Sequence, residues 1–531
     1  MLQNEEVPVV IVGGSLVGLA TAVFLAGQGQ TPMVVERHDG TAIHPRAGHF
    51  HLRTLELLRS AGLEEAVQRL SAERFFPNGG INQVETLVGG EVASYIAELN
   101  DGVEAVSPSR RLFVAQDALE PLLRRRAEEL GARLSYATEA TILDHDEDGV
   151  TLRLRDRHGD AERTVRSQWV VAADGARSPI RRQLGIELNG FGHLSRSATI
   201  YFRADCSALL EGANQGVIYV ANEHLRGFFR FERSGTSGFL AVNTLGDPRE
   251  PGALDVTAGL DSARAAELVR AAIGDPAIAV TIDDVAPWEA TAEVADRYRV
   301  GRILLAGDAV HPLPPNGGFG GNTGVQDAHN LAWKLALVLR GAAGEALLDT
   351  YEAERRPIGR LTIEQAYTRY MRRVTPELIG DDLPDLVDDF RMEIGYLYGD
   401  DELVADPRTS AGRPGSRAPH VPLRRGDRTI STLDLFGQGR FVLLAGRDGE
   451  TWATAADEAA EALGVPLATH VIDAHMDPAG RFPEAYGVAE DGASLVRPDG
   501  FVSWRSDGTE LEAALRAAVC ASTNDRRSIS R

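Results

Sequence analysis

Apolar residues fall in short, sharply bounded runs along this chain, and the first of them sets the pattern. Val9-Val10-Ile11-Val12 is an unbroken β-branched run, suited to a strand buried on both faces, and it leads straight into Gly13-Gly14-Ser15-Leu16-Val17-Gly18. Leu19 to Leu25 continues as an apolar helix, and Pro32-Met33-Val34-Val35 returns to a strand that ends in Glu36-Arg37. Strand, Gly-rich turn, helix and strand in this order form the dinucleotide-binding βαβ pattern. Two later segments repeat the motif of a buried strand breaking into a polar turn: Trp169 to Arg181, with Asp174-Gly175, and Gly301 to Asn322, with Gly307-Asp308. Between them, Ala198 to Arg203, Gly216 to Val220, Gly227 to Phe231 and Gly238 to Val242 alternate or cluster like the strands of a sheet laid over the first domain.

The order of elements predicts an α/β architecture in three parts. Residues 1–180 and 285–400 form a discontinuous Rossmann-like cofactor domain, and 181–284 an inserted β-sheet domain. Residues 413–521 form a third unit of strand (Phe441 to Ala445), helix (Trp452 to Leu463), strand (Ala468 to Asp473) and hairpin (Gly492 to Trp504), which resembles a thioredoxin-like domain. Thiol redox chemistry needs two neighbouring cysteines, and this unit holds only Cys520, so it reads as a structural or dimerising part. The polar, Arg-rich end, 522–531, is expected to be disordered.

Composition narrows the class. A chain of 531 residues, 43% hydrophobic, can bury several cores, and its formal charge of -22 repels nucleic acid and anionic membrane surfaces. The start lacks the positive charge of a secretory signal, and no apolar stretch reaches the roughly 18 residues of a membrane span. Two cysteines, Cys206 and Cys520, offer no disulfide framework, and a reducing cytoplasm is the expected compartment. No HExxH or paired-cysteine spacing suggests a metal.

The Gly-rich turn carries the first chemistry. Gly13 permits a tight turn, a small residue at 15 lets the backbone approach a pyrophosphate, and Gly18 lets helix and strand pack closely, so that phosphate meets the helix N-terminus. The middle glycine is replaced by Ser15, whose hydroxyl must either donate to a phosphate oxygen or turn away from it. Glu36, about 20 residues further on, can accept hydrogen bonds from an adenosine ribose. Asp308 follows a buried strand where a carboxylate can meet sugar or ribityl hydroxyls, and Gly317, Gly318, Gly320 and Gly321 free backbone N–H groups to face something flat and electron-rich at the start of a helix. The bland readings are a helix cap for Asp308 and a plain turn residue for Asp174.

Jointly these three motifs, with Asp327-Ala328-His329-Asn330-Leu331-Ala332-Trp333-Lys334 and Leu348 to Pro357, resemble the group A flavoprotein aromatic hydroxylases, and most nearly their bacterial aromatic polyketide branch. The resemblance implies FAD as cofactor, NADPH or NADH as co-substrate, and transfer of oxygen from O2 through a flavin C4a-hydroperoxide to a polycyclic phenol or quinone. It places Gly13, Ser15 and Gly18 along the pyrophosphate, Glu36 at the adenosine ribose and Asp308 at the ribityl chain, and counts Leu16, Val17, Arg37 and Asp174 among the cofactor-binding residues. Gly320, Gly321 and Asn322 then lie along the pyrimidine edge of the flavin, Arg46 near the mobile flavin and Gln116 on the ribityl side, with Pro315, Gly318 and, more loosely, Arg111 also cofactor-binding. Surface salt bridging is the alternative for both arginines. A Baeyer-Villiger or ring-cleaving oxygenation on the same scaffold is the rival reaction, and a homodimer is a possible assembly.

One departure from the family pattern is the pair His49 and His51. Either could accept a phenolic proton if the segment lines the flavin pocket, alongside Arg46, and otherwise each caps or packs. On the inserted sheet, Tyr219, Phe229 and Trp288 are candidate substrate contacts, with burial in the core as the alternative reading.

Overall fold

The structure, a computed structural model, describes residues 5–520 apart from 45, 47, 213–214, 247–252, 381 and 507–509; the tail expected to be disordered lies outside the described residues. The β-branched run forms the strand Glu5–Val12, flanked in parallel by Met33–Val35 on one side and Glu162–Ala172 on the other. Arg133–Ser135 and Ile303–Leu305 extend this parallel sheet at its two ends. The register aligns Val12 with both Val35 and Ala172, and Ala172 with Leu305. The sequence therefore leaves the sheet at one edge four times over, and Gly13, Glu36, Asp174 and Asp308 all emerge at the carboxyl ends of adjacent strands, where open α/β sheets bind ligands.

A second sheet of seven strands lies over this edge, in the order 281–295, 188–203, 237–243, 226–231, 215–221, 80–84, 91–96. Two of its strands, Gly80–Val84 and Glu91–Ile96, come from the first 180 residues, a span that the sequence reading gives wholly to the cofactor domain. Gly80–Val84 joins by parallel pairing with Gln215–Ala221, a contact between distant segments that no local pattern announces. Alternation then divides the sheet into two faces. Ile200, Phe202, Ile218, Phe229, Phe231, Leu240 and Val242 pack with Leu268 and Val269 of the helix Ser262–Ile273, whereas Tyr201, Phe239 and Ala241 pack with Phe228 and Trp288 on the opposite face.

The third unit has the thioredoxin-like arrangement: Phe441–Ala445 pairs in parallel with Leu467–Val471 and antiparallel with Ala493–Val496, which pairs with Val502–Arg505. Its core includes Trp333, Leu337 and Leu347 of the cofactor domain, so the two units share packing. Polar clamps reinforce that junction. Glu56 accepts from Arg53 (3.1 Å) and Arg417 (3.0 Å), and Glu354 accepts from Arg497 (2.6 Å) and Lys334 (2.8 Å). Among the described residues no helix is long and apolar enough to cross a membrane.

Candidate active site

The Gly-rich turn is built by close approach. Gly13 has φ +110°, and a Cβ there would strike the Ala173 carbonyl; a Cβ on Gly18 would strike the carbonyl of Gly13. The helix Leu16–Ala26 begins at Ser15 with no side-chain cap, so its first N–H groups remain available to an anion. Of the two fates open to the Ser15 hydroxyl, the structure takes the second. It donates to Glu120 (2.5 Å), a fully buried carboxylate that also accepts from Gln116 Nε2 and from the Ala42 amide (both 2.6 Å). Glu120 thus ties the Gly-rich turn, the helix Gln116–Glu129 and the loop toward Arg46 together. Sequence reasoning missed it because a glutamate four residues into a helix looks like a solvated one.

Two further outcomes follow from that clamp. Ser15→Gly is expected to change FAD affinity by no more than about threefold, since the hydroxyl does not serve the phosphate. Glu120→Ala is expected to weaken FAD by about tenfold or more, because three charge-assisted hydrogen bonds are lost. Flavin fluorescence titration of the apoprotein measures both.

Glu36 is buried and takes the Gly14 amide (2.6 Å) and the His38 amide (2.8 Å), which leaves its carboxylate at the ribose end of the turn; Arg37 is exposed beside it. Asp174 accepts from the Ile180 amide (3.2 Å), so it does organise a turn, but its Oδ1 is buried without a partner, and burial pushes its carboxyl upward. Arg181 reaches from that turn to the Ala309 carbonyl (2.8 Å) and so joins the second motif to the third.

In the third motif Gly307 adopts φ +64° and presents Asp308. The Asp308 side chain is surrounded by protein yet open to solvent, as on the wall of a cleft, and burial raises its carboxyl against the opposing influence of His311 and Arg46. Its turn is held from behind by Asp327, which accepts from His311 Nε2 (2.6 Å), Arg355 Nε (2.8 Å) and the Gly307 amide (3.1 Å). Burial pushes the Asp327 carboxyl up, but His311 and Arg355 outweigh it and hold the group below the usual carboxylate range. Asp327 and Arg355 stand in segments whose pattern marks the family but whose role only the fold reveals.

The helix Phe319–Leu339 starts from Gly317 and Gly318, at φ +92° and +71°, and points its N-terminal amides past Gly320 and Gly321 toward the same cleft as Asp308; Pro315 is exposed at its lip. The side chain of Asn322, expected along the flavin edge, is instead spent inside the protein. It accepts from the His51 amide and donates to the His49 and Gly318 carbonyls at 2.7–2.9 Å. His51 likewise braces the turn, its Nε2 bonded to the Gly317 carbonyl (3.0 Å). His49 differs: its ring lies against Gly318, and its Nε2 is buried with no partner. Burial first, then the charges of His51, Arg111 and Arg230, keep it neutral, well below its ordinary pKa.

Arg46 is exposed at the cleft. Arg111 is not a surface ion pair: it is buried, paired with Glu393 (2.9 Å) and donating to the Leu99 carbonyl (2.8 Å). On the sheet, Tyr219 and Trp288 do face the cofactor domain; Tyr219 receives Arg373 (3.1 Å), and the indole donates to Thr199 (3.0 Å). Phe229 faces the opposite way, into the core under the helix Ser262–Ile273, because residues alternate along a strand. Its neighbours Phe228 and Arg230 take the cleft side, with Tyr201, whose ring stacks on His44 at 4.4 Å. A surface groove of about 500 Å³ lined by Phe76, Glu211 and Arg233 involves none of the cofactor-turn residues.

A parallel sheet with its ligand turns at one edge, a glycine-led helix aimed at them and a second sheet roofing the cleft define a flavoprotein, and comparison with known proteins says which. The FAD binding domain family matches residues 6–366 and the aromatic-ring hydroxylase C-terminal family residues 411–522, so the chain belongs to the FAD-dependent aromatic-ring hydroxylases and is a monooxygenase. It is 62% identical to 4-methyl-5-nitrocatechol 5-monooxygenase from Burkholderia sp, over 97% of this chain and 98% of that protein. It is 39% identical to tetracenomycin A2 monooxygenase-dioxygenase from Streptomyces glaucescens, covering 98% and 97% respectively. A crystal structure of aklavinone-11 hydroxylase with FAD and aklavinone superposes with a TM-score of 0.90 at 35% identity, covering 98% of this chain and 100% of that one.

Proposed function

We propose that this monooxygenase uses NAD(P)H and O2 to hydroxylate a nitro-substituted catechol at the carbon bearing the nitro group. The observation that carries this reading is the 62% identity, across nearly the whole of both chains, to an enzyme named for 4-methyl-5-nitrocatechol. FAD fits the donors present: open helix amides at Ser15, Glu36 at the ribose end, Asp308 on the cleft wall and the glycines at 317–321. Bound there, FAD supplies the reductive activation of dioxygen and the transfer of one oxygen atom. The protein's part is to hold the ring against the glycine-led helix end, to exclude water with the sheet face of Tyr201, Phe228, Phe239 and Trp288, and to place polar groups at the ring oxygens.

In 4-methyl-5-nitrocatechol the nitro carbon stands para to one ring oxygen. Insertion of oxygen there lets nitrite leave with the former nitro bond and converts the ring into a para-quinone. The second oxygen atom of O2 leaves as water, and NAD(P)H supplies the two electrons. Structural similarity to aklavinone-11 hydroxylase supports a second reading, the hydroxylation of a polycyclic phenol.

The test is turnover of the holoenzyme with 4-methyl-5-nitrocatechol under labelled dioxygen. One nitrite and one labelled quinone oxygen per NAD(P)H oxidised are expected. NAD(P)H consumption that yields hydrogen peroxide alone, together with labelled hydroxylation of a polycyclic phenol, would establish the second reading. A lactone or ring-opened product would replace both with a Baeyer-Villiger or ring-cleaving reaction.

A further inference from the structure

Arg230 is the side chain whose chemistry the site leaves unexplained. It lies on the strand Arg226–Phe231, on the face turned toward the cofactor domain, and is 5% exposed. Its Nε and Nη2 are buried with no hydrogen-bond partner, and no carboxylate pairs with it among the described residues. The surrounding charges are already matched elsewhere. Arg74, on the helix Glu64–Arg74, pairs with Asp117 at 3.1 Å and with Glu232 at 2.5 Å, which leaves Asp117 and Glu232 satisfied. The guanidinium rests instead on the rings of Phe75 (4.2 Å) and Phe113 (4.9 Å), a partial compensation for lost water. Burial, with Arg74 adding to it, depresses its pKa to about 9, far below that of any solvated arginine.

Its position relates it to the flavin end of the site. A Cβ at Gly48 would collide with the Arg230 guanidinium, so this cation lies against the backbone one residue before His49 and two after Arg46. The His49 ring contacts Phe113 (5.1 Å) and Gly318, and its buried Nε2 is also unpartnered. Two unsatisfied polar side chains, one cationic and one neutral, therefore stand together between the sheet and the glycine turn of the flavin helix. An unpaired charge is costly to bury, and such a charge in a cleft points to an anionic ligand.

We propose that Arg230 anchors an ionised ring oxygen of the substrate, with His49 beside it, and so selects acidic phenols and catechols as their phenolates. The inference rests on the proposed function and deepens it. A nitro group para to a hydroxyl makes that hydroxyl acidic enough to ionise near neutral pH, so a nitrocatechol enters the cleft as an anion that needs a buried counter-charge. An ionised oxygen also pushes electron density to the carbon para to it, the one attacked in the proposed reaction.

Binding to the oxidised holoenzyme, without NAD(P)H, separates anchoring from turnover. The probes are 4-methyl-5-nitrocatechol and the un-ionised 4-methylcatechol, titrated on either side of the nitrocatechol ionisation. The wild type is expected to bind nitrocatechol more tightly as the ligand ionises. Arg230→Met is expected to abolish that preference and weaken nitrocatecholate binding at least tenfold, with 4-methylcatechol changed less than threefold. Arg230→Lys, which keeps the charge without the fork, is expected to retain the preference with weaker binding. Ligand-free Arg230→Met is expected to melt no lower than wild type, because it removes an unpaired buried charge.

Equal weakening of both ligands in Arg230→Met, or unchanged nitrocatecholate binding, would overturn the anchor. If Arg230→Met does not retain FAD, Arg230→Lys decides: loss of the ionisation preference with charge retained overturns the proposal. Nitrite release with an unaltered KM in Arg230→Met would sink the anchor and leave the proposed function standing. Ionisation-dependent binding that the variant abolishes, without nitrite release from the wild type, would do the reverse.

Discussion

Asp327→Ala is expected to cost about 3–5 kcal/mol of stability and to strip the enzyme of most of its FAD, because it leaves the fully buried Arg355 guanidinium without its carboxylate. The same carboxylate holds His311 and the Gly307 amide, so its loss also frees the turn that carries Asp308. Bulk solvent does not reach the cluster: the side chains of Asp327, His311 and Arg355 are all 0% exposed. Asp327→Asn preserves the shape but supplies one acceptor oxygen where two are used, and should fall between wild type and alanine. Urea titration followed by flavin fluorescence and by far-ultraviolet circular dichroism would report the two losses separately. An alanine variant that retains stoichiometric FAD through gel filtration would show that the turn at Gly307 holds without this support.

Glu354→Gln is expected to cause the second large loss, about 3–5 kcal/mol, at the junction between the cofactor domain and the thioredoxin-like unit. Glu354 receives both Arg497 nitrogens (2.6 and 2.9 Å), Lys334 (2.8 Å) and Asn330 (2.7 Å), and glutamine cannot answer three donors of which two are cations. Burial favours the neutral acid, yet Arg497 and Lys334 overcome it and hold the carboxyl far below its ordinary value. Burial pushes Lys334 down to about 8 despite Glu354, so the bidentate Arg497 is the firmer half of the clamp.

The sign of the pH effect follows from the depressed carboxyl. Its folded pKa lies below the unfolded value of about 4.3, so its contribution is fully present above that pH and is lost as pH falls further. The wild type should therefore lose urea resistance on acidification below about pH 4.3, and Glu354→Gln should show a shallower acid slope. Parallel acid slopes in the two proteins would assign the acid loss to other carboxylates.

The consequence of this second loss reaches the active site through one rigid element. Trp333 and Lys334 sit on the helix whose first residues, from Phe319, form the glycine-led end at the cleft, and Trp333 donates to Asp499 of the third unit (3.2 Å). The thioredoxin-like unit thus acts as a buttress for the flavin helix, consistent with its single cysteine. Flavin fluorescence should change in Glu354→Gln before the parallel sheet unfolds.

Much of the cofactor site was legible because its signals are local. Gly18 is constrained by a contact within one βαβ unit, and Asp174 and Asp308 each stand two or three residues beyond a buried strand that periodicity reveals. The face of the second sheet turned toward the cofactor domain was only half legible. Tyr219 and Trp288 face the cofactor domain as expected, but Phe229 does not, since in Phe228-Phe229 two adjacent aromatics are equally apolar and only the paired register decides which one looks outward. A one-residue choice on a strand reverses the face. The two histidines were indistinguishable in sequence, and the fold separates them by a single hydrogen bond, which His51 makes to Gly317 and His49 lacks.

What the sequence determined by itself is the class of ligand and the edge of the sheet where it binds, because backbone geometry around glycine and the periodicity of a buried strand are encoded within a few neighbouring residues. What only the tertiary structure decided is how charge is distributed there: Glu120 satisfied by three donors, Asp327 by three more, Arg111 consumed by Glu393, and Arg230 left unmatched. A charged residue in a sequence carries its charge but not its partner, and Glu393, the partner of Arg111, stands 282 residues away, brought within hydrogen-bond reach only by the tertiary fold.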